Sequence, residues 1–500
     1  MRYVGFSEYY HDAALAIIND KGEVLHASQS ERYSKKKNDP IVHDEQWELT
    51  DQDKDTFVFY EDVSVKKTHR KDLTTDHGRT HKRNSVTAHE QIPVYESLAY
   101  DDMHEHHQSH CATAFYTRPW DDREDTVMVS IDGVGEIQTA VIYDNQFNLI
   151  KEWQYPKSVG LVYTSATSIL GLRPLEDEYV TMGLSSYGTA PEEMVTWLKE
   201  WWNSLPDIAP ETETKTPVDN PDSVSFKRYA NMKGKLKEWR HKEYSDEDFA
   251  AGIQEFAYWA MEGIMQEARQ YGNKLCYSGG CAQNVVFNSR LPEIFDDVHI
   301  AVAPTDSGSA VGTAAMTLEK ETGIDKLVWT PYSGYNIDRE IDVKEVVDHL
   351  LEHHVCGIAN GPAEFGPRAL GNRSLIADVR FDVKDTVNTI KRRQKYRPFA
   401  PAVLEEHAHE YFDGPMNEYM QYTSIAKHPY TSVTHVDGTA RVQIVKKDCP
   451  SIFRKIIEEY YARTGIPMLL NTSLNIRGRP MVNDEKDARL WEQQYKVKVF

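Results

Sequence analysis

Four short apolar runs in the first 320 residues end in the same kind of loop, one that carries an acid or a glycine. The loops are "YYHD" (9–12), "DGVGE" (132–136), "SGGCAQN" (278–284) and "PTDSG" (304–308). The runs before the last three, "TVMVSI" (126–131), "KLCYS" and "DVHIAVAP", are short and apolar, and read as buried strands. A helix is predicted over Phe249–Tyr271, where Phe249, Ile253, Phe256, Ala260, Ile264 and Ala268 recur at helical spacing. "SAVGTAAM" opens another helix after the fourth loop. Strands alternating with helices restrict the chain to the α/β class, in which ligands bind beyond the carboxyl ends of the strands. Glycine in such a loop lets backbone N–H groups approach a phosphate or sugar closely. One such loop is ordinarily just a turn. Four together, three with an aspartate, point to a nucleotide-handling site.

Residues 1–18 read as two strands joined by a polar turn at Tyr9–Asp12. The charged stretch 61–93 has no period and reads as a surface loop. The Pro/Thr/Asp-rich stretch 206–222 reads as an insertion or linker. The pattern restarts near 340–360, with a helix in "EVVDHLLEHH" and a strand in "VCGIANG". A boundary there divides the chain into domains 1–348 and 349–500, within what 500 residues allow. No repeat of 20–50 residues is visible. No apolar run reaches the roughly 18–20 residues of a membrane helix. The N-terminus reads as a first strand, not as a secretory leader. The five cysteines (111, 276, 281, 356, 449) are scattered and form no C-x-x-C pair, which fits a reducing cytoplasm. A net charge of −21 disfavours nucleic acid as a bulk partner but not a small phosphorylated ligand. A homodimer is compatible with this composition.

"MHEHHQSHCATAFY" (103–116) places histidines at 104, 106, 107 and 110. On a helix His106 and His110 share a face, a compact metal-binding spacing; His107 and His110, three apart, form the rival pair. Two histidines leave a metal under-coordinated, and the strand-end Asp132 and Asp306 are the natural oxygen partners. Two histidines plus carboxylates, with open positions, suit iron(II) or zinc.

The second half concentrates its cations. They are Arg368 and Arg373 in "EFGPRALGNRS", Lys391, Arg392, Arg393, Lys395 and Arg397 in "KRRQKYRPFAP", Arg441 in "HVDGTARVQ", and Arg477 after Asn471, Ser473 and Asn475 in "LLNTSLNIRG". Arginine forks hold phosphate bidentately, and Ser and Asn add neutral donors and acceptors. These cations alternate with Gly, Pro and apolar residues in an otherwise acidic chain, which favours a phosphate or nucleotide pocket over a solvated face.

Taken in order, "HDAALAI", "ERYSKKK", "HHQSHCATAFY", "IDGVGE", "MGLSSYG", "GGCAQN", "PTDSGSAVGTAA", "EFGPRALGNRSLIADVR", "YRPFAPAVLEE", "THVDGTARVQ" and "LNTSLNIRGRP" run from residue 11 to 480. This ordered set resembles the O-carbamoyltransferase family, which includes nodulation protein NodU and antibiotic-tailoring carbamoyltransferases. The resemblance implies an N-terminal actin-like/sugar-kinase-like (ASKHA) domain, similar to the transferase that makes threonylcarbamoyladenosine in tRNA, and a C-terminal YrdC-like α/β domain. It implies that the YrdC-like domain makes carbamoyladenylate and pyrophosphate from ATP, with Mg, and carbamoyl phosphate. The intermediate then moves inside the protein to an iron(II) site (zinc or manganese as alternatives), where an acceptor hydroxyl attacks the carbamoyl carbon.

Carried over by motif, the resemblance makes His106, His110, Asp132 and Asp306 the metal ligands and His11 the candidate general base. Lys37 faces the adenylate, or Lys36 if the local gap is placed differently. Gly133, Gly135, Gly279, Gly280 and Asn284 bind the adenylate in the first domain. Arg368, Lys391, Arg397, Arg441, Asn471 and Ser473 contact ATP and carbamoyl phosphate in the second. His104 and His107 are left without an assigned role, as structural residues or as supports behind the ligands. There are departures: a family lysine is replaced by Val180 and Ala-Pro by Ser185–Ser186, which bears on nucleotide or acceptor contacts near 176–188; residues 40–100 diverge, which bears on acceptor specificity; and the C-terminus is shorter than the resemblance leads one to expect. The acceptor itself, a small molecule, sugar or nucleoside hydroxyl, is not readable. Two rival functions are a threonylcarbamoyl-type tRNA-modifying enzyme, which the acidic charge disfavours, and a non-catalytic actin-like nucleotide-binding module.

Overall fold

A computed structural model of the protein describes residues 1–62, 100–208, 224–242, 244–395 and 397–500. The stretches 61–93 and 206–222, read as loop and linker, lie outside these residues except for their first few positions. The chain forms two compact units. The first comprises 1–24, 39–42 and 47–329, the second 25–38, 43–46 and 330–500. Both are mixed α/β. Among the described residues no helix is long and apolar enough to cross a membrane.

In the first unit β1 (Arg2–Ser7) pairs antiparallel with β2 (Ala14–Asn19), the two strands read from the sequence, and parallel with β3 (Asp55–Phe59). β3 pairs parallel with β4 (Asp102–Met103), after which α1 (His106–Tyr116) begins. The pattern then recurs. β5 (Thr126–Ile131) pairs antiparallel with β6 (Gln138–Tyr143), which β7 (Leu149–Gln154) extends. After α2 (Asp246–Ala268), β8 (Lys274–Ser278) pairs parallel with β5 and then with β9 (Asp297–Ile300); α3 (Asp306–Thr322) follows. A structural duplication thus exists where no sequence repeat is visible. Strand pairing is made by backbone groups and requires only short apolar runs, so it leaves no residue-level copy.

β5 is buried along its whole length, as a central strand covered on both faces must be, which is why it shows no alternation. α2 begins three residues before the apolar pattern does. Ser245 Oγ accepts the Asp248 N–H at 3.0 Å and the Asp248 carboxylate accepts the Ser245 N–H, a capping box that fixes the start.

The last helices of the two repeats, α1 and α3, cross in close contact. Thr113 Oγ1 donates to the Gly308 carbonyl at 2.8 Å. A Cβ added at Gly312 lies 2.1 Å from the Ser109 carbonyl oxygen, and one at Gly308 lies 1.8 Å from that of Ala303. Backbone cannot give way as a side chain does, so Gly312→Ala is expected to lower stability by about 2–4 kcal/mol. A thermal or denaturant midpoint measures this; an unchanged midpoint refutes the tight crossing.

The second unit holds α4 (Val343–His353), β10 (Val355–Ala359), β11 (Arg373–Ala377), β12 (Ala400–Leu404), β13 (Gln443–Val445), α5 (Phe453–Thr464) and β14 (Met468–Ser473). Its sheet runs β10-β11-β14-β12-β13, antiparallel except for the β12–β13 pair. On one face Val346, Val347 and Leu350 of α4 and Phe453, Ile456 and Ile457 of α5 pack on Ile358, Ile376 and Leu469. A second apolar cluster, with Leu375, Val403 and Leu470, fills the other face. β14 therefore delivers Asn471 and Ser473 from a strand buried on both faces.

Candidate functional site

α1 starts at His106 without a side-chain cap from Glu105. Glu136, from the β5–β6 loop, supplies the missing acceptor: its Oε1 takes the His106 N–H at 2.8 Å and the Asp62 N–H at 3.0 Å. One helical turn separates His106 from His110, so both imidazoles leave the same face. Asp132 follows β5 directly, and Asp306 is the first residue of α3. The four side chains bring one donor atom each to within 4.8 Å of one another.

The spacing fits a cation. Four ligands about 2.1 Å from a tetrahedrally held ion stand about 3.4 Å apart. Here His106 Nε2 and His110 Nε2 are 3.1 Å apart. Asp132 Oδ2 lies 3.5 and 3.2 Å from the two imidazole nitrogens, and Asp306 Oδ1 lies 3.6 and 3.3 Å from them. Burial alone raises the Asp132 carboxyl, yet hydrogen bonds from His106 and His110 hold it well below the usual carboxylate range. Asp306 is likewise held low against burial by the charges of His11 and His106 and a bond from His110. The His110 imidazole, which burial lowers, is raised by the two carboxylates. Two ionised carboxylates in a buried site need positive charge, and the donor set is one that a divalent metal accepts.

The rival ligand His107 is engaged elsewhere. Its Nε2 reaches the Gln138 carbonyl at 2.9 Å and must donate there, so Nδ1 accepts from Ser130 Oγ at 2.9 Å. Burial pushes its pKa down to about 3, so it ties α1 to β5 and β6 as a neutral ring. Gly135 makes room for it, since a Cβ there lies 2.8 Å from the ring. His104 bonds Thr317 Oγ1 at 3.0 Å, and burial lowers it to about 4. His11 Nδ1 lies 3.3 Å from Asp12 Oδ2 and 3.7 Å from Asp306 Oδ2. Burial opposes its protonation, but Asp306, Asp12 and Asp132 raise it to about 9.

The remaining residues of the first unit border the same loops. Asp132 Oδ1 accepts the Gly133 N–H at 2.7 Å. Gly279, at φ 89°, has no room for a Cβ beside the Ile131 carbonyl, and one on Gly280 meets Asp132 Oδ1 at 2.8 Å. Asn284 Oδ1 caps the next short helix through the Phe287 N–H, and its amide pairs with Gln254. Val180 is buried core. Lys37 belongs to the second unit, where its Nζ bonds both oxygens of Glu31 at 2.8 Å; Lys36 is exposed.

A second cluster lies within the second unit. Lys391 Nζ is buried and donates to the Ser473 carbonyl, to Ser473 Oγ at 3.2 Å, and to Asn475 Oδ1 and the Asn475 carbonyl at 2.9 and 3.2 Å. Burial, then the charges of Arg393 and Arg397, push its pKa well below the ordinary lysine value. Burial and the neighbouring Arg368, Arg393 and Arg397 do the same to Arg441, whose Nε is buried without a partner among the described residues. Like charges gathered out of water are relieved by an anion. Asn471 Nδ2 is held by the Ala369 carbonyl at 3.0 Å and Gln443 Oε1 at 2.7 Å, while its Oδ1 is buried without a partner among the described residues. Glu364 Oε1 accepts the N–H groups of Leu370, Asn372 and Arg373, which shapes the loop after Arg368. Arg373, grouped with the phosphate-facing cations from the sequence, is instead a brace. Its guanidinium bonds the carbonyls of Tyr335, Asn360, Gly361, Asn372 and Asn483.

Sequence reasoning missed Glu61 and Glu136. Glu136 was visible in "DGVGE" as an acid near a strand end. Glu61 stands in a charged run without period, where nothing marks it.

A family model for the carbamoyltransferase N-terminus matches residues 2–315, and one for the carbamoyltransferase C-terminus matches 347–500. Nodulation protein NolO of Bradyrhizobium diazoefficiens is 30% identical over 428 residues, covering 77% of this chain and 75% of that protein. An uncharacterized protein of Synechocystis is 28% identical over 583 residues, 97% of this chain and 93% of that one. Nodulation protein U of Rhizobium fredii is 36% identical over 235 residues, 43% of this chain and 40% of its own length.

Proposed function

The chain belongs to the carbamoyltransferase family, and from that premise we propose an ATP-dependent O-carbamoyltransferase that works in two steps. The C-terminal domain, 349–500, is read as YrdC-like and converts ATP and carbamoyl phosphate into carbamoyladenylate with release of pyrophosphate. The N-terminal domain, 1–348, is read as actin-like, a reading that its duplicated strand pattern supports. It passes the carbamoyl group to a hydroxyl of a small-molecule, sugar or nucleoside acceptor. The observation that carries the reading is the buried tetrad of His106, His110, Asp132 and Asp306, whose donor atoms are spaced for a divalent ion.

Iron(II), with zinc or manganese as alternatives, would be held by these four side chains and would supply positive charge where negative charge develops as the hydroxyl attacks. His11, beside Asp306, is the acceptor for the hydroxyl proton. The carboxylates of Asp306, Asp12 and Asp132 raise its pKa, so its free base is a stronger proton acceptor than an ordinary imidazole. The hydroxyl oxygen bonds to the carbamoyl carbon, the bond to the adenylate breaks, and AMP leaves. Gly133, Gly135, Gly279, Gly280 and Asn284 border the place where the adenylate is read to lie. In the C-terminal domain Arg368, Arg397, Arg441 and Lys391 offset phosphate charge, and Ser473 and Asn471 add neutral contacts.

Anaerobic incubation of the full chain with ATP, Mg, carbamoyl phosphate and iron(II) tests the reading. Pyrophosphate and carbamoyladenylate are expected only when both substrates are present. ATP binding without either product points to a non-catalytic nucleotide-binding module.

A further inference from the structure

We propose that Glu61 is a positioning residue for His106, fixing its ring so that Nε2 faces the tetrad; this rests on the metal-centre reading above. Glu61 is fully buried, two residues past the end of β3. Its Oε1 lies 3.1 Å from His106 Nδ1. When Nε2 ligates a cation, the hydrogen left on the ring is on Nδ1, where the Glu61 carboxylate accepts it. Nε2 is the nitrogen 3.1 Å from His110 Nε2 and 3.5 and 3.6 Å from the two aspartates. A buried carboxylate behind a ligating histidine both orients the ring and makes it a stronger donor.

The other imidazole shows the contrast. Among the described residues His110 Nδ1 is buried with no hydrogen-bond partner, and none of their carboxylates orients that ring from behind. The two histidines are therefore unequal ligands. His106 is held twice, its backbone N–H by Glu136 and its ring by Glu61.

Cobalt(II) titration of the full chain, followed by its visible absorption bands, tests this without any turnover. Glu61→Leu removes both the acceptor and the charge, and is expected to weaken cobalt(II) binding about 10–100-fold with altered bands. Glu61→Gln keeps an acceptor oxygen and loses the charge, so its affinity is expected to fall between the two. A residue that merely packs the core changes the melting midpoint and leaves the affinity alone, so unchanged cobalt(II) affinity in a folded Glu61→Leu overturns the proposal. Should Glu61→Leu not fold, Glu61→Gln decides: about threefold weaker binding or more supports it, and equal binding overturns it. If the unsubstituted chain binds no cobalt(II), the metal-centre reading itself fails, a result distinct from either.

Discussion

Replacing His106 or His110 by alanine is expected to abolish carbamoyl transfer while the protein goes on making carbamoyladenylate. The two imidazoles supply both nitrogen donors of the tetrad, and their Nε2 atoms are 3.1 Å apart. With either gone, the two carboxylates and one ring no longer form a four-point cage, and Asp132 and Asp306 lose a partner that keeps them ionised. Several kcal/mol of transition-state stabilisation depend on charge held at that point, so the loss expected is about 10³-fold or more. The measurement is paired: pyrophosphate release for the first step, a one-carbamoyl mass gain on a hydroxyl acceptor for the second. Survival of both steps in either variant refutes the ligand assignment.

The converse variant is Lys391→Met, expected to stop adenylate formation and leave the tetrad intact. Methionine has nearly the length of lysine and lacks the ammonium. Ser473 and Asn475 then lose the donor that gathers them, and the arginine cluster loses one of its cations. A loss of about 10²-fold or more in pyrophosphate release is expected, since a positioned charge on a reacting phosphate contributes several kcal/mol. Cobalt(II) affinity should match that of the unsubstituted chain, and pre-formed carbamoyladenylate should still be consumed. If Lys391 is only a brace, the melting midpoint falls while turnover per folded molecule stays the same, and the catalytic assignment is refuted.

Much of this site is legible in the sequence because the residues that build it sit at places with strict local rules. His106 and His110 announce themselves by helical spacing, and Asp132 and Asp306 by following short buried strands. Spacing alone leaves His107 and His110 as an equal pair. The decision between them comes from β5 and β6, where Ser130 and Gln138 occupy both nitrogens of His107. That contact spans more than twenty positions and has no local signature. Glu61 is illegible for the same reason: its partner lies 45 residues away in the chain. The cations of the second half illustrate a different limit. Arg368 and Arg373 stand five apart in one motif and look alike by composition, yet the guanidinium of Arg373 is surrounded by backbone carbonyls. An arginine fork serves carbonyls as readily as phosphate, so only the fold separates the two uses.

The crossing of α1 and α3 bears on what sets the spacing of such a site. Asp306 opens one helix and the histidine pair opens the other. Between those helices Gly312 admits no side chain beside the Ser109 carbonyl. The jaw that carries three of the four donor atoms is thus gauged by main chain against main chain, like a caliper with a fixed stop. A side chain at position 312 would drive the two helix starts apart, and the opening offered to a cation would widen with them.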